Sequence, residues 1–338
     1  MSKTFFIHDN FEALSPLLEG KKEVVVLIDK GISHLYGRYF PYPQIEVEIS
    51  EGQKTLATVE SIAKRLVAME CSRSTFLLCV GGGILTDIGG FVASIFKRGI
   101  KCGYLPTTLL AQVDASTGGK TGVNLDGLKN ILGTFSLPEF TYINTATLRT
   151  LPRRELLAGA AEMIKAFAIK DAESFAKAKT YLTQGFDTGT PEFRELLATA
   201  IQIKADVVER DFRESGERKL LNFGHTFGHA IEKCAAAARE PLLHGEAVAK
   251  GMKIAAQISA LKGYLPEESL KEFCSTLDMM GFDLQVPYGV ENLMDAVKND
   301  KKRGENGVDF VLLQEIGKSC IETISFEDLA KAAADVLH

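Results

Sequence analysis

Short apolar runs alternate with amphipathic stretches through the first part of the chain. The apolar runs are bounded by polar or glycine-rich segments and predict five strands, at Val24–Ile28, Ile45–Ile49, Thr75–Val80, Lys101–Leu105 and Phe140–Ile143. Between some of them, apolar residues at three- and four-residue spacing predict helices, as at Thr55–Met69 and Thr86–Phe96. Strands that alternate with helices are typical of parallel β-α-β units.

The pattern changes near Leu151-Pro152 and becomes mostly helical. Helical periodicity predicts helices at Glu155–Ile169, Pro191–Val208, Leu220–Ala238, Gly245–Leu261, Leu270–Met280 and Phe326–Val336. An extended piece, Val308–Leu313, follows Gly304-Glu305-Asn306-Gly307, which has the chemistry of a hairpin turn. We therefore predict two domains: an α/β domain with a parallel sheet over residues 1–152, and a mainly α-helical domain over residues 153–338.

Composition narrows the class of protein. The 338 residues are 46% hydrophobic and 25% charged, as in an ordinary soluble globular protein. The net charge of −5 argues against a nucleic-acid binder, whose footprint is basic. It still permits a locally positive pocket for an anionic substrate.

The cysteines and the N-terminal residues indicate in which cellular compartment we expect the protein. The 6 cysteines are scattered without a Cys-x-x-Cys pair, which argues against a structural zinc site and a disulfide framework. We expect a reducing, cytoplasmic environment. Met1–Asp9 becomes polar too early for a signal peptide, and no apolar stretch reaches the roughly 18 residues of a membrane span.

A glycine turn, Gly81-Gly82-Gly83, follows the predicted strand Thr75–Val80 and opens a helix. Glycines there allow backbone N–H groups to approach a diphosphate, and the helix N-terminus favours its negative charge. The spacing differs from the standard dinucleotide fingerprint, so a tight turn that needs glycine for steric reasons is an equal interpretation. Asp29, after Val24–Ile28, could hold a ribose hydroxyl or be an ordinary turn aspartate.

The segment Pro106–Asn124 is polar, rich in glycine and long for a connection, which is typical of functional loops. Lys120 lies in it next to glycine and could reach a phosphate as a point charge. Lys129 and Asn130 add donors shortly afterwards. Each lysine alone would be a solvated side chain; their shared segment favours function.

Three of the 6 histidines fall between positions 225 and 244. His225 and His229 are four residues apart, on one helix face, and Glu162 and Lys165 share a face of another helix. One carboxylate and two imidazoles with an open side suit a catalytic zinc or similar ion. Three histidines compete for two places, and we predict His225 and His244 as ligands, with His229 as a substrate contact or a residue outside the ligand set.

Cations surround these residues in the sequence. Lys204 and Arg218 precede the histidines, with Asn222 one turn after Arg218, and Lys301 and Lys302 lie further on. Several cations suit a substrate with more than one negative group. Any one of them alone would be a surface charge.

Taken together, these motifs resemble the 3-dehydroquinate synthase family over nearly the whole chain. The strings that carry the resemblance are Gly81-Gly82-Gly83 with Asp87 and Gly90-Phe91, Arg98-Gly99, Pro106 to Asn124, Lys129-Asn130, Glu162 with Lys165, Arg218 to Glu232, His244-Gly245-Glu246-Ala247-Val248, and Asp300-Lys301-Lys302. The chain departs from the family pattern at Gly127-Leu128-Lys129-Asn130, where the glycine is displaced, and at Asn144, where an aspartate is common.

The resemblance implies a Rossmann-like N-terminal domain, a helical metal-binding C-terminal domain, bound NAD, Zn2+ or Co2+, and a homodimer. It implies a carbon–oxygen lyase that converts 3-deoxy-D-arabino-heptulosonate 7-phosphate to 3-dehydroquinate and phosphate in the shikimate pathway. The route would be transient oxidation by NAD, phosphate elimination, re-reduction and an intramolecular aldol.

The resemblance also implies a role for each matched residue. The metal ligands would be Glu162, His225 and His244. The NAD contacts would be Asp29, Glu51, Lys54, Gly81, Gly82, Gly83, Asp87, Thr107, Thr108, Lys129 and Thr150. The substrate shell would be Asp114, Lys120, Asn130, Lys165, Lys204, Arg218, Asn222, His229 and one or both of Lys301 and Lys302, with Arg98 as a phosphate contact that reaches a neighbouring subunit.

Three alternatives stand beside this interpretation. Another sugar-phosphate cyclase would act on a substrate without a carboxylate, but Arg218, Asn222 and His229 argue against it. A metal-dependent alcohol dehydrogenase would release NADH. A catalytically inactive metal-binding protein would release no phosphate from the heptulosonate phosphate.

Overall fold

The computed structural model describes residues 5–126, 128–185, 187–300 and 306–337, except for the side chain of Asp300. The chain divides into two compact units. One comprises Met1–Leu151 with Thr188–Thr190, and the other comprises Pro152–Asp187 with Pro191–His338. Within the described ranges, no helix is both long and apolar enough to cross a membrane.

The first unit is built on a six-stranded sheet with a separate two-stranded hairpin. In chain order, its strands are β1 (Phe5–His8), β2 (Glu23–Asp29), β3 (Gln44–Val47), β4 (Thr75–Gly81), β5 (Lys101–Pro106), β6 (Lys120–Leu125), β7 (Leu128–Phe135) and β8 (Phe140–Asn144). The large sheet has the order β1-β8-β5-β4-β2-β3, and every pair in it is parallel. Strands β6 and β7 form the antiparallel hairpin. The predicted parallel sheet is confirmed.

Helices connect these strands. They are α1 (Ser15–Leu18), α2 (Lys30–Tyr36), α3 (Leu56–Ala68) and α4 (Gly83–Ile95). Asp29 caps α2 by accepting a hydrogen bond from the Gly31 N–H, and Thr55 caps α3 by accepting one from the Thr58 N–H. Every residue of β4 is buried, as expected for the centre of a parallel sheet covered on both faces.

The strand order reverses between β2 and β4, because β3 continues the sheet on one side and β5 on the other. Ile28 pairs with Val80, so Asp29 and Gly81 end neighbouring strands. Ligands of open α/β sheets bind beyond the carboxyl ends of the strands at such a switch point. The glycine turn and Asp29 therefore lie where the fold class predicts a ligand.

Two features of this unit differ from the sequence prediction. The edge strand β1 was not predicted; it pairs with β8 although all of its residues are only half-buried. The segment Pro106–Asn124 is not one long loop, because it contains a π-helical turn, Ala111–Ala115, and then strand β6. Only Val123 and Leu125 of the six residues of β6 are apolar, so no buried face identifies this strand in the sequence.

The second unit is mainly helical. Its elements are α5 (Arg153–Lys170), α6 (Ala172–Thr183), α7 (Pro191–Arg210), α8 (His225–Ala237), α9 (His244–Leu261), α10 (Glu267–Met280), α11 (Val290–Asp300), β9 (Gly307–Glu315), β10 (Lys318–Ser325) and α12 (Phe326–Val336). Strands β9 and β10 pair antiparallel around Ile316-Gly317. The hairpin therefore closes after β9 and not at the predicted turn, part of which lies outside the described residues.

The predicted helix Leu220–Ala238 is interrupted. A 3₁₀ helix over Glu217–Asn222 ends at Phe223, and Gly224 has a left-handed backbone with φ of 79°. Glycine adopts that conformation without the steric cost of a side chain. As a result, His225 is the first residue of α8, so its ring lies at the helix N-terminus.

Candidate functional site

One carboxylate and two imidazoles converge in the helical unit. Glu162 lies in the middle of α5, while His225 and His244 begin α8 and α9. One ligand atom from each lies within 4.8 Å of the others. The Nε2 atoms of His225 and His244 are 3.7 and 3.6 Å from the same Glu162 oxygen, Oε1. The structure thus brings together the three residues that the sequence predicts as ligands.

These positions fit a metal ion. Ligands about 2.0–2.1 Å from a tetrahedral zinc lie roughly 3.3–3.4 Å apart, close to the observed spacing. Among the described residues, neither buried oxygen of Glu162 has a hydrogen bond of ordinary geometry. Buried carboxylate oxygens normally have partners. Lys165 contacts Oε2, which leaves Oε1 facing the two imidazoles.

The electrostatics of Glu162 and His225 agree with ligation, whereas His244 carries a proton that a metal ion must displace. Burial opposes ionisation of Glu162, but Lys165 and the two histidines hold its pKa well below the usual value, so it is a carboxylate. Burial and the Lys165 ammonium hold the pKa of His225 well below the usual value, so its ring is neutral. Burial also disfavours the charged form of His244, yet the neighbouring carboxylates of Glu162 and Glu232 raise its pKa to about 10. An ion would displace that proton.

Close helix packing sets the spacing of these ligands. A Cβ on Gly245 would lie 1.9 Å from the Ala158 carbonyl oxygen, so α9 can approach α5 only with glycine there. A Cβ on Gly251 would lie 2.1 Å from the Gly224 carbonyl oxygen, which couples α9 to the start of α8 in the same way. The glycines of these motifs serve helix contact. Gly224 and Gly228 likewise leave no open space beside the histidines, because a Cβ on either would meet α9.

A second group of candidate ligands shares His244. His229, Glu232 and His244 also offer ligand atoms within 4.8 Å of one another. The ring centroids of His225 and His229 are 5.4 Å apart, and those of His229 and His244 are 6.1 Å apart. Glu232 was not predicted as a site residue. Its place seven residues after His225 on one helix face could have indicated it.

Polar residues before α8 form a connected group. Arg218 is buried and donates from Nη1 to the Phe212 carbonyl oxygen at 2.6 Å. Asn222 donates from Nδ2 to Glu214 Oε1 at 2.7 Å. Glu214 was also missed by the sequence analysis, because it lies in an irregular segment where no periodicity identifies a face. Lys204 is half-buried on α7, and Lys301 and Lys302 lie outside the described residues.

In the first unit, the glycine turn has little space around it. A Cβ on Gly82 would lie 3.2 Å from Thr108 Cγ2, and one on Gly83 would lie 2.9 Å from the Ala115 Cβ. Gly83 begins α4. Another group can therefore approach the backbone of this turn only because Gly82 and Gly83 have no side chains. Thr107 is buried, and Thr108 Oγ1 accepts the Ala111 N–H at 3.2 Å.

Lys54 connects two predicted sets of residues. Its buried ammonium donates to Asp87 Oδ2 at 2.6 Å and to Asn130 Oδ1 at 2.5 Å. Asn130 has a left-handed φ of 55° and donates its N–H to Asn124 Oδ1 at 2.8 Å. Asn124 in turn donates from Nδ2 to Glu51 Oε1 at 2.7 Å. Predicted NAD contacts and a predicted substrate contact thus form one hydrogen-bonded network.

The remaining predicted residues of this unit are more dispersed. Asp114 lies in the π-helical turn, while Lys120 and Lys129 are exposed on β6 and β7. Arg98 is exposed and has a left-handed φ of 68°. Thr150 Oγ1 lies 2.5 Å from the Tyr36 hydroxyl. The pKa of Asp29 is raised by burial, although the Gly31 N–H acts in the other direction.

Solved structures define the class to which this fold belongs. A 2-epi-5-epi-valiolone synthase from Streptomyces hygroscopicus subsp. jinggangensis 5008, with NAD+ and Zn2+ bound, superposes with a TM-score of 0.91 at 26% identity, covering 100% of this chain and 97% of that one. A 2-deoxy-scyllo-inosose synthase complexed with carbaglucose-6-phosphate, NAD+ and Co2+ gives 0.87 at 25% identity, covering 98% and 96%. The fold is that of the sugar-phosphate cyclases.

Sequence comparison narrows the class further. The 3-dehydroquinate synthase N-terminal profile matches residues 44–158, and the C-terminal profile of the same family matches residues 159–303. A 3-dehydroquinate synthase from Dictyoglomus thermophilum is 40% identical over 289 residues, which cover 85% of this chain and 81% of the relative. The chain belongs to the 3-dehydroquinate synthase family, as its motifs predicted.

Proposed function

We propose that this chain is a 3-dehydroquinate synthase, an enzyme that converts 3-deoxy-D-arabino-heptulosonate 7-phosphate to 3-dehydroquinate and phosphate. The observation that carries the proposal is the convergence of both Nε2 atoms on one buried oxygen of Glu162, in a chain that matches both domains of the family. We assign NAD binding to residues 1–152 and metal and substrate binding to residues 153–338.

Glu162, His225 and His244 would hold Zn2+ or Co2+, the ions bound in the two solved relatives. When bound, such an ion acts as a Lewis acid that polarises substrate oxygens and lowers the pKa of hydroxyl groups. The chain's own contribution is to supply a carboxylate and a neutral imidazole in a buried setting. Lys165 balances the second oxygen of Glu162, so that carboxylate is not left with excess charge.

NAD would lie at the switch point of the sheet, and it supplies a reversible hydride acceptor when bound. The N-terminus of α4, which begins at Gly83, would face the diphosphate, and Asp29 would accept from a ribose hydroxyl. The other proposed NAD contacts are Glu51, Lys54, Gly81, Gly82, Asp87, Thr107, Thr108, Lys129 and Thr150. The network through Lys54 would keep several of these side chains in place before the cofactor arrives.

Cations and polar groups would bind the two anionic ends of the substrate. Phosphate and carboxylate groups are best held by charge-assisted hydrogen bonds. We assign this role to Lys120, Asn130, Lys165, Lys204, Arg218, Asn222, His229, Arg98 and one or both of Lys301 and Lys302. Asp114, a carboxylate in the same proposed substrate shell, would accept hydrogen bonds from substrate hydroxyl groups. Arg218 would enter it with its guanidinium already oriented by the Phe212 carbonyl.

We also propose a cytoplasmic homodimer that acts in the shikimate pathway. Support for a dimer comes from exposed apolar side chains in and beside the β6–β7 hairpin, at Leu125, Leu128, Ile131, Phe135 and Leu137, which are 40–60% exposed. An apolar group of this kind, on a pair of strands outside the main sheet, is typical of an interface. Size-exclusion chromatography with light scattering should give twice the 36.9 kDa chain mass. A monomer at micromolar concentration would reject this part of the proposal.

The two solved relatives favour one second candidate, another sugar-phosphate cyclase, because both are named as synthases of other products. The test is a phosphate-release assay with the heptulosonate phosphate, run with and without chelator and added NAD+. Phosphate release that needs both metal and NAD+, without net NADH absorbance, supports the synthase. No release with this substrate, but release with a phosphosugar that lacks a carboxylate, would favour the other cyclase. Accumulating NADH would indicate an alcohol dehydrogenase.

A further inference from the structure

The two imidazoles that face Glu162 are each held at the opposite ring nitrogen. Nδ1 of His225 lies 3.2 Å from the Phe223 carbonyl oxygen, and Nδ1 of His244 lies 3.4 Å from Glu232 Oε2. A neutral imidazole carries its proton on one nitrogen and offers the other to a metal. An acceptor at Nδ1 therefore leaves Nε2 available, and in both rings Nε2 is the atom that faces Glu162 Oε1.

Glu232 is well placed to act as the acceptor for His244. It lies on α8 and meets the first residue of α9. Its side chain is only 14% exposed, so its carboxylate is largely shielded from water. One face of α8 thus carries His225, a candidate ligand, and Glu232, which contacts the candidate ligand from the next helix.

The same carboxylate could instead be a ligand itself, together with His229 and His244. Two observations favour the orienting role. Glu162 has two buried oxygens without hydrogen bonds of ordinary geometry among the described residues, and both Nε2 atoms converge on one of them. The matching contact at His225 involves a backbone carbonyl, and metal-bound histidines commonly donate their second N–H to a carbonyl or a carboxylate.

We propose that Glu232 is a positioning residue of the metal centre: it accepts the Nδ1–H of His244 and so directs Nε2 to an ion shared with Glu162 and His225. This inference rests on the proposed metal site. Removing the acceptor would free the ring to rotate and to change tautomer, and loss of such partners typically lowers metal affinity by about 10- to 100-fold.

The experiment uses Co2+ as the probe, with affinity measured by chelator competition and coordination followed by the visible d–d spectrum. The variants are Glu232→Ala, Glu232→Gln and, as a matched control, Glu240→Gln at an exposed carboxylate beyond the same helix. We expect Glu232→Ala to bind Co2+ about 10- to 100-fold more weakly with an unchanged spectrum. Glu232→Gln keeps an acceptor oxygen and should fall between this variant and the wild type, and Glu240→Gln should match the wild type.

Two outcomes would overturn the inference. Wild-type affinity in Glu232→Ala would show that the contact does not orient the ring. A changed Co2+ spectrum at saturation would show that Glu232 is a ligand. Thermal unfolding of each metal-free variant shows whether that variant folds. If Glu232→Ala does not fold, the Co2+ affinity of Glu232→Gln tests the inference in its place. The wild type and His244→Ala test the site itself: if both bind Co2+ equally, the proposed metal centre is wrong, whatever Glu232 does.

Discussion

Arg154 and Glu246 form a two-point ion pair, with Arg154 Nε 2.5 Å from Oε1 and Nη2 2.7 Å from Oε2. Oε2 of Glu246 also accepts the Leu243 backbone N–H at 2.8 Å. One carboxylate therefore both caps the first turn of α9 and fastens that turn to the start of α5. These two helices carry His244 and Glu162, so the pair stabilises the arrangement of two candidate ligands.

Replacing Arg154 by either alanine or lysine should lower the free energy of unfolding by a similar, small amount. The side chain of Arg154 is 57% exposed, which limits the effect to about 0.5–1 kcal/mol. Lysine should not restore the loss, because a single ammonium cannot reproduce the two-point contact of a guanidinium. Urea unfolding of the metal-free protein measures the change, with Arg153→Ala as the neighbouring exposed control. Full recovery with lysine would contradict the geometry.

Glu162→Gln and His244→Ala should differ in stability although both lose metal. The side chains of Lys165 and Glu162 are 4% and 1% exposed, so the amide leaves an ammonium buried without its counter-charge. Such a loss costs about 3–5 kcal/mol. His244→Ala should keep the fold and lose bound metal and activity. Metal analysis, activity and urea unfolding on both variants make the comparison. Normal activity in metal-stripped His244→Ala would remove that histidine from the ligand set.

Lys120→Ala should reduce kcat/KM for the heptulosonate phosphate by well over tenfold. The proposed reason is loss of a charge-assisted contact to the substrate phosphate. Lys120 is exposed at the start of β6, so the melting temperature should hardly change. Exposed Lys22→Ala on the same unit is the control. If steady-state kinetics are the same for both variants, Lys120 does not contact the substrate.

Asp211 should make stability depend on pH below about 4. Its carboxylate accepts the backbone N–H groups of Ser215, Gly216 and Arg218, and these hydrogen bonds lower its pKa from 3.8 to about 2. A group whose pKa is lower in the folded state stabilises the fold above its unfolded pKa. That contribution is lost as the pH falls from 3.8 through 2.

The measurement for Asp211 is the difference in urea midpoint between the wild type and Asp211→Asn. The difference should be constant between pH 7 and pH 5 and shrink as the pH falls below about 4. Asp278→Asn, at an exposed position on α10, should follow the wild type throughout. A difference that grows on acidification would refute the assigned cause.

Gly245→Ala should be strongly destabilising, although alanine is usually the better residue in a helix. The added Cβ would lie 1.9 Å from the Ala158 carbonyl oxygen, so α5 and α9 must separate. Overpacking of this kind costs about 1–3 kcal/mol and occasionally more. Gly289→Ala is the matched control, because a Cβ there meets no atom within 4 Å. Equal melting temperatures for the two variants would show that the helices are not closely packed.

The sequence predicted those elements whose periodicity is strong. Strands β2, β4, β5 and β8 and helices α5, α7 and α9 lie within a few residues of the predicted positions, because the strands are short apolar runs and the helices have apolar residues at three- and four-residue spacing. Helices α6 and α11 were missed, as were β1 and the β6–β7 hairpin. The hairpin exposes most residues of β7, so no buried face marks it in the sequence.

The residues of the candidate metal site could be proposed from the sequence, but the hydrogen bonds between predicted site residues could not. Glu162, His225 and His244 were identified by residue type and spacing, and the structure brings them together. The sequence could not show that Lys54 pairs with Asp87 and Asn130, since long-range hydrogen bonds leave no local pattern. It also could not show the interruption at Gly224 that makes His225 the first residue of its helix.

The three candidate ligands come from helices that already bury extensive apolar faces against the rest of their unit. We expect such a scaffold to fold without a bound ion, unlike a zinc finger, in which binding and folding are one event. When the metal is scarce, newly made chains would accumulate as folded but inactive protein. Supplying the ion again would then activate these chains without new protein synthesis.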